Sequence, residues 1–292
     1  MYSQPITRLH RTAFVLMIDR SGSMAEELVF CGRRIPKAEA VAEVANGLLF
    51  ELIQRATRTD GVRDYYDIAV IGYDGDGVRS LLSPEHWFVP VSELAARETP
   101  QRTVTVERTL PSGERTLHDV TAPCWITPSS RGTTPMYEAL CRVQELVEGW
   151  CARPAHADSF PPVVFNITDG ESSDGDEQEL RDVCRRIRRA ATADGGVFMI
   201  HVHIATAPDA QSVLFPTEEE VRTNGSRYAR LLYDCSSPMP PALDEAIRDL
   251  KGPGARPPFR GMSFNASMAE LISVLNLSLI HISEPTRPIS IS

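Results

Sequence analysis

The chain has 292 residues, 42% hydrophobic and 24% charged, the balance of a soluble globular protein with enough sequence for one large α/β domain or two small ones. Its formal net charge of -9 argues against a nucleic-acid backbone or an anionic membrane as the main partner. Six cysteines with no C-x-x-C pair, and no apolar run of signal-peptide or membrane-spanning length, predict reduced thiols and a cytoplasmic location.

Residues 1–12 read as a polar leader. Ala13 to Ile18 is an unbroken apolar run of strand length, the pattern of a strand buried on both faces, and it stops at Asp19-Arg-Ser-Gly-Ser-Met24. A loop containing Cys31 and Gly32 follows. Pro36 then opens a helix in which Val41, Val44, Leu48, Leu49, Leu52 and Ile53 recur at helical spacing. Asp67 to Tyr73 reads as a second strand, closed by Asp74-Gly-Asp-Gly77, which is better read as a glycine-rich turn than as a calcium loop because no terminal glutamate follows at the right spacing.

Residues 78–130 read as an insertion built around a β-hairpin: Thr103 to Glu107 alternates with period two, Pro111 to Glu114 turns, and Arg115 to Val120 pairs back. Pro135 begins a helix with Met136, Leu140, Val143, Val147 and Trp150 on one face. Pro162 to Thr168 is the next strand, ending in Asp169-Gly170. Leu180, Val183, Cys184 and Ile187 mark a helix, and Val197 to Ile204 is a further strand. A Pro-rich run near Pro238 and Pro241 leads into a short helix, and the last native-looking helix spans about Ala266 to Asn276. Strands alternating with helices predict one α/β domain, residues 13–276, whose central sheet is mostly parallel and covered on both faces.

Two of these strands run straight into an aspartate close to a glycine, Asp19 and Asp169. In a parallel sheet both aspartates reach the carboxyl edge, where open α/β sheets bind ligands. In Asp19-Arg-Ser-Gly-Ser23 alternate positions carry oxygen, and Gly22 permits the tight turn that aims Ser21 and Ser23 at one point. Arg131-Gly-Thr-Thr-Pro135, just before a helix start, offers another hydroxyl. Oxygen-only donors suit a hard cation such as Mg2+.

The order D-x-S-x-S, then a threonine loop, then Thr168-Asp-Gly170 resembles the metal-ion-dependent adhesion site of the von Willebrand factor type A family, and the likeness runs from about residue 12 to 275. It implies a Rossmann-like three-layer α/β/α sandwich with Asp19, Ser21, Ser23, Thr134 and Asp169 around Mg2+ or Mn2+. Thr134 is chosen because Gly132-Thr-Thr-Pro-Met-Tyr-Glu-Ala-Leu140 resembles the family's bacterial G-G-T-P-x-x-x-A-L form, with Thr133 as the fallback. The resemblance further implies a protein partner whose Asp or Glu completes the metal shell. It associates intracellular bacterial proteins of this type with AAA+ ATPases or with stress and defence systems. A site built mainly of neutral hydroxyls leaves the cation undercompensated, which agrees with an anionic partner.

Two departures accompany the match. The segment 78–130 is long for its place and is expected to cover or extend the binding face. Glu171, Asp174, Asp176 and Glu177 follow Asp169 and are expected to cap the next helix. His201 and His203 share a strand face, but no third ligand stands at motif spacing, so buried histidines are expected there instead of zinc ligands. The basic run Arg185 to Arg189 reads as a solvated helix face.

Ser21 has no evident histidine base and no nucleophile elbow. Metal-dependent phosphohydrolases usually show D-x-D pairs or further acidic ligands. The chain is therefore read as a metal-dependent binding module and not an enzyme, with a phosphohydrolase or a structural domain with a vestigial site as the alternatives. Residues 277–292, from Leu277-Ser-Leu-Ile-His-Ile-Ser-Glu-Pro-Thr-Arg287 on, resemble translated sequencing adapter and are expected to be a non-native tail.

Overall fold

A computed structural model describes residues 2–109, 115–205, 211–224, 226–252 and 254–283. β1 (Thr12–Asp19) is buried along its whole length, as an unbroken apolar run requires of a strand with layers on both sides. The segment expected as a loop is instead a hairpin, β2 (Glu27–Phe30) against β3 (Arg33–Pro36). Its turn is Cys31-Gly32, both at positive φ (47° and 72°), the backbone that matches strand twist in a two-residue hairpin. Its strands are four residues each with no period-two alternation, so the sequence pattern did not reveal them. Pro36 then precedes α1 (Lys37–Ala56), whose buried face includes all six expected apolar positions.

β4 (Tyr66–Asp74) turns into β5 (Gly77–Ser80), and β6 (Val89–Pro90) leads into α2 (Val91–Ala96). β7 (Gln101–Thr109) and β8 (Arg115–Pro123) form the expected inserted hairpin, with Val104 opposite Val120; four of its expected turn residues, 111–114, lie outside the described residues. The insertion is shorter than 78–130, because β5 and β6 pair antiparallel with β4 and so belong to the main sheet.

After the hairpin come α3 (Met136–Cys151), β9 (Val163–Thr168), α4 (Glu177–Arg189) and β10 (Phe198–Ile204). Then follow β11 (Val213–Leu214), α5 (Glu218–Asn224), α6 (Arg227–Cys235), α7 (Asp244–Lys251), β12 (Met262–Ala266) and α8 (Met268–Ser283). β11 and β12 escaped the sequence reading, being short and mixed in polarity. Ala266, expected to begin the last helix, ends β12. Ser267 and Glu270 exchange capping hydrogen bonds at the start of α8. That helix continues past Asn276 through a stretch free of Gly and Pro.

The main sheet has the order β11-β12-β10-β9-β1-β4-β5, with β6 also on β4. β12, β10, β9, β1 and β4 are mutually parallel, and the antiparallel strands lie at the edges. Leaving aside the two-residue edge strands and numbering the rest by chain order, the arrangement is 3-2-1-4-5-6. Such a sheet has its topological switch point between strands 1 and 4, here β1 and β9, and open α/β sheets bind ligands in the crevice there.

Helices cover both faces. Phe14, Leu16 and Ile18 of β1 pack with Val163, Phe165 and Ile167 of β9 into a core capped by α1, α2 and α8. Val15 and Met17 point the other way, into a core with α3, α4 and α6. This period-two division makes the protein a three-layer α/β sandwich.

Candidate functional site

β1 and β9 are neighbours in register from Phe14↔Val163 to Ile18↔Ile167, so Asp19, the last residue of β1, and Asp169, the residue after β9, emerge close together at the switch point. Both are buried, 0% and 4% exposed. Asp19 Oδ1 accepts from the Ser21 amide at 2.8 Å, and Oδ2 accepts from the Thr168 hydroxyl at 2.6 Å. A 3-10 turn, Gly22–Ala25, carries Ser23 back over the strand end. Ser21 Oγ lies 3.1 Å from Ser23 Oγ, and Ser23 Oγ donates to Asp169 Oδ1 at 2.6 Å.

The threonine loop arrives from the other side and is stitched down by backbone. Arg131 N donates to Arg20 O at 2.7 Å, Gly22 N to Gly132 O at 3.0 Å, and Gly75 N to Arg131 O at 3.2 Å. Gly132, at φ +67°, packs so closely on Gly75 that a Cβ on it would lie 2.6 Å from the Gly75 Cα. Only glycine meets both the dihedral and the contact. Thr134 is fastened to the third loop through Ser173, whose hydroxyl accepts from Thr134 N and whose amide donates to Thr134 O, both at 3.0 Å.

A Cβ built on Gly170 would stand 3.9 Å from Ser23 Oγ and 4.0 Å from Thr134 Oγ1. Both hydroxyls therefore face the space that glycine leaves open. Thr134 is buried and Thr133 is exposed, which separates the two candidates. The structure thus brings the five expected residues together: Asp19 holds the Ser21 amide, Ser21 meets Ser23, Ser23 meets Asp169, and Thr134 stands with Ser23 beside Gly170.

Burial raises the pKa of Asp19, and the neighbouring charge of Asp169 adds to the rise, against the opposing effect of the Ser21 and Thr168 hydrogen bonds. Two carboxylates in one dry place favour a cation. The donors are oxygen only, two carboxylates and three hydroxyls, the chemistry that Mg2+ and Mn2+ take. The residues present fit such an ion. Among the described residues no group of three or more His, Cys, Asp and Glu is placed to hold a metal ion.

Sequence reasoning missed Lys37. It is the first residue of α1, 1% exposed, and its Nζ donates to Asp169 Oδ2 at 2.9 Å and to Glu26 Oε2 at 2.6 Å. A signal was present: Lys37 and Lys251 are the chain's only lysines among 30 basic residues. Tyr228 was also missed; its hydroxyl donates to Gly170 O at 2.6 Å and helps fix the third loop.

Of the acidic cluster expected to cap the next helix, only Asp176 and Glu177 stand at its start. Asp176 and Glu179 make a capping box at the start of α4, while Asp174 instead accepts from the Tyr137 and Glu138 amides at the start of α3. His201 and His203 are both buried. His201 Nδ1 lies 3.2 Å from Ser236 Oγ, and His203 stacks on Phe264 with ring centroids 4.4 Å apart. Desolvation pushes their pKa values down to about 3 and about 4, so both are neutral near pH 7. The inserted hairpin is pinned to α1 at its base: Asn46 accepts from the Trp125 and Ile126 amides and donates to Ile126 O.

No protein-family model matches the chain, and no curated protein matches it. Among solved structures the chain is similar to that of an uncharacterized membrane spanning protein from Vibrio fischeri, with 14% identity over 69% of this chain and 74% of that one and a TM-score of 0.26. A likeness of that size carries no argument. Among the described residues no helix is long and apolar enough to cross a membrane.

Proposed function

We propose that the protein binds a divalent cation, Mg2+ or Mn2+, at the switch point and uses it to capture a carboxylate of a partner protein, in the manner of the von Willebrand factor type A domains that its motifs resemble. The observation that carries this reading is the meeting of three separate loops at one point. Ser23 Oγ lies 2.6 Å from Asp169, and the hydroxyls of Ser23 and Thr134 face the same opening over Gly170.

When bound, the ion would supply a hard positive centre able to accept a carboxylate oxygen. Ser21, Ser23 and Thr134 would hold it through hydroxyl lone pairs, with Asp169 beside them. Asp19 acts as the anchor: its two oxygens hold the Ser21 amide and the Thr168 hydroxyl, which fixes the turn that presents both serines. Neutral hydroxyls add no negative charge on the side of the ion that faces the opening, so an anion from outside remains attractive there.

Isothermal titration of Mn2+ into the metal-free chain tests the first half. Saturable one-site binding that weakens by about 100-fold in Asp19→Ala is expected. Acetate added to the Mn2+-loaded protein tests the second half, through the fall in water-proton relaxation as a carboxylate displaces water. No binding of Mn2+ by the wild type overturns the reading. Mn2+-dependent turnover of p-nitrophenyl phosphate that needs Asp19 would replace it with a phosphohydrolase.

A further inference from the structure

We infer that Lys37 is a built-in counter-ion of this site, which weakens metal binding in order to leave the loaded site receptive to an anion. The inference rests on the metal-binding reading above and adds the residue that sets its charge. Lys37 is among the largest fully buried side chains of the protein. An ammonium kept from water is unfavourable unless carboxylates surround it, and here two do, Asp169 Oδ2 at 2.9 Å and Glu26 Oε2 at 2.6 Å.

The β2–β3 hairpin creates the arrangement. It returns the chain so that the Lys37 amide donates to Glu26 O at 2.9 Å, and the first residue of α1 then points its stem under the metal loops. Among the described residues the other ion pairs mostly use arginine, Lys251 with Glu220 being the other lysine pair. A lysine at this point supplies a compact charge that sits against one oxygen of Asp169, where a guanidinium would present a planar fork. Asp169 Oδ1 stays on the hydroxyl side, with Ser23, while Oδ2 is held by Lys37.

The charge count gives the arrangement a consequence. Asp19, Asp169 and Glu26, counted as ionised, with Lys37 leave two net negative charges, and a divalent cation brings the site to neutral. Without the ammonium the loaded site would keep one negative charge and would repel an incoming carboxylate. The ammonium and the metal also compete for the same anions, so one weakens the hold of the other. Lys37 therefore moves metal affinity and anion affinity in opposite directions, which a merely structural lysine would not do.

The test compares wild-type full chain with Lys37→Met and Glu26→Gln, using Mn2+ alone and then acetate on the Mn2+-loaded protein. Lys37→Met is expected to bind Mn2+ at least tenfold more tightly and acetate at least tenfold more weakly. Mn2+ should also raise its Tm by more than it raises the wild-type Tm, because the metal then replaces a missing positive charge. Glu26→Gln removes a carboxylate whose side chain is 58% exposed and should bind Mn2+ more weakly than wild type. Wild-type binding with Lys37→Met unchanged or weaker for Mn2+ overturns the inference alone. If Lys37→Met stays unfolded even with Mn2+, Glu26→Gln decides, and unchanged or tighter Mn2+ binding there overturns the inference. Absence of Mn2+ binding by the wild type overturns the metal reading and this inference with it.

Discussion

At the amino edge of the sheet, Asp67 begins the inward run of β4 with its charge fully answered. Oδ1 lies 3.0 Å from Arg11 Nη1 and Oδ2 2.9 Å from Trp150 Nε1, with His156 Nε2 at 3.9 Å. At the carboxyl edge, Asp19 and Asp169 are equally buried, but hydroxyls hold one oxygen of each. Nitrogen donors such as guanidinium and indole have no lone pair to offer a cation, so Asp67 is a closed structural joint. Hydroxyls donate to a carboxylate and still carry lone pairs. The same residue type, at the same burial, therefore locks one end of the sheet and leaves hydroxyl lone pairs at the other, where the cation is proposed.

Breaking the amino edge should have the largest effect on folding. Asp67→Ala strips the buried partners of Arg11 and Trp150 and is expected to cost on the order of 3 kcal/mol, read from urea unfolding, while Mn2+ affinity stays at the wild-type value. A loss of Mn2+ binding with it would mean the two edges are coupled. Asp19→Ala should show the reverse pattern, with Mn2+ affinity falling by about 100-fold, the upper range for residues that orient metal ligands, and far-UV circular dichroism retained.

Acid offers a third probe, away from both aspartate sites. His201 has a folded pKa of about 3 against 6.5 in the unfolded chain. The unfolded state therefore binds a proton that the folded state refuses, and its stabilising contribution is full above pH 6.5 and falls as pH drops toward 3. The expected slope is up to about 1.4 kcal/mol per pH unit, measurable by urea unfolding between pH 7 and 4. His201→Asn should reduce it and leave the share of His203, whose pKa burial also pushes down, to about 4.

Two smaller effects sharpen the contrast within the carboxyl edge itself. Asp176→Ala removes a helix cap whose partner is a backbone amide and should cost about 1 kcal/mol without changing Mn2+ affinity, placing it with Asp67 in kind although it lies near Asp169 in sequence. Thr133→Ala should change neither stability nor Mn2+ binding, whereas Thr134→Ala should weaken Mn2+ binding. Equal effects at the two positions would break the assignment of the hydroxyl that faces Gly170.

Much of this was legible because it is local. The apolar runs of β1, β4, β9 and β10 announce strands buried on both faces, the helical faces of α1, α3 and α4 follow from spacing, and the abrupt stops at Asp19 and Asp169 mark strand ends where polar groups can surface. The sequence determined by itself that two carboxylates and a set of hydroxyls stand at strand-to-helix junctions of an α/β protein. It did not show the hairpin at 27–36, since its strands are four residues each with no period-two alternation, nor β12, whose place depends on β10 beside it. Only the tertiary structure decided that β9 lies next to β1, that Thr134 and not Thr133 turns inward, and that Lys37, far from Asp169 in the chain, supplies its counter-charge. Those facts depend on which backbones hydrogen-bond across more than a hundred residues, and on where a charge is cut off from water, and neither leaves a periodic trace in sequence.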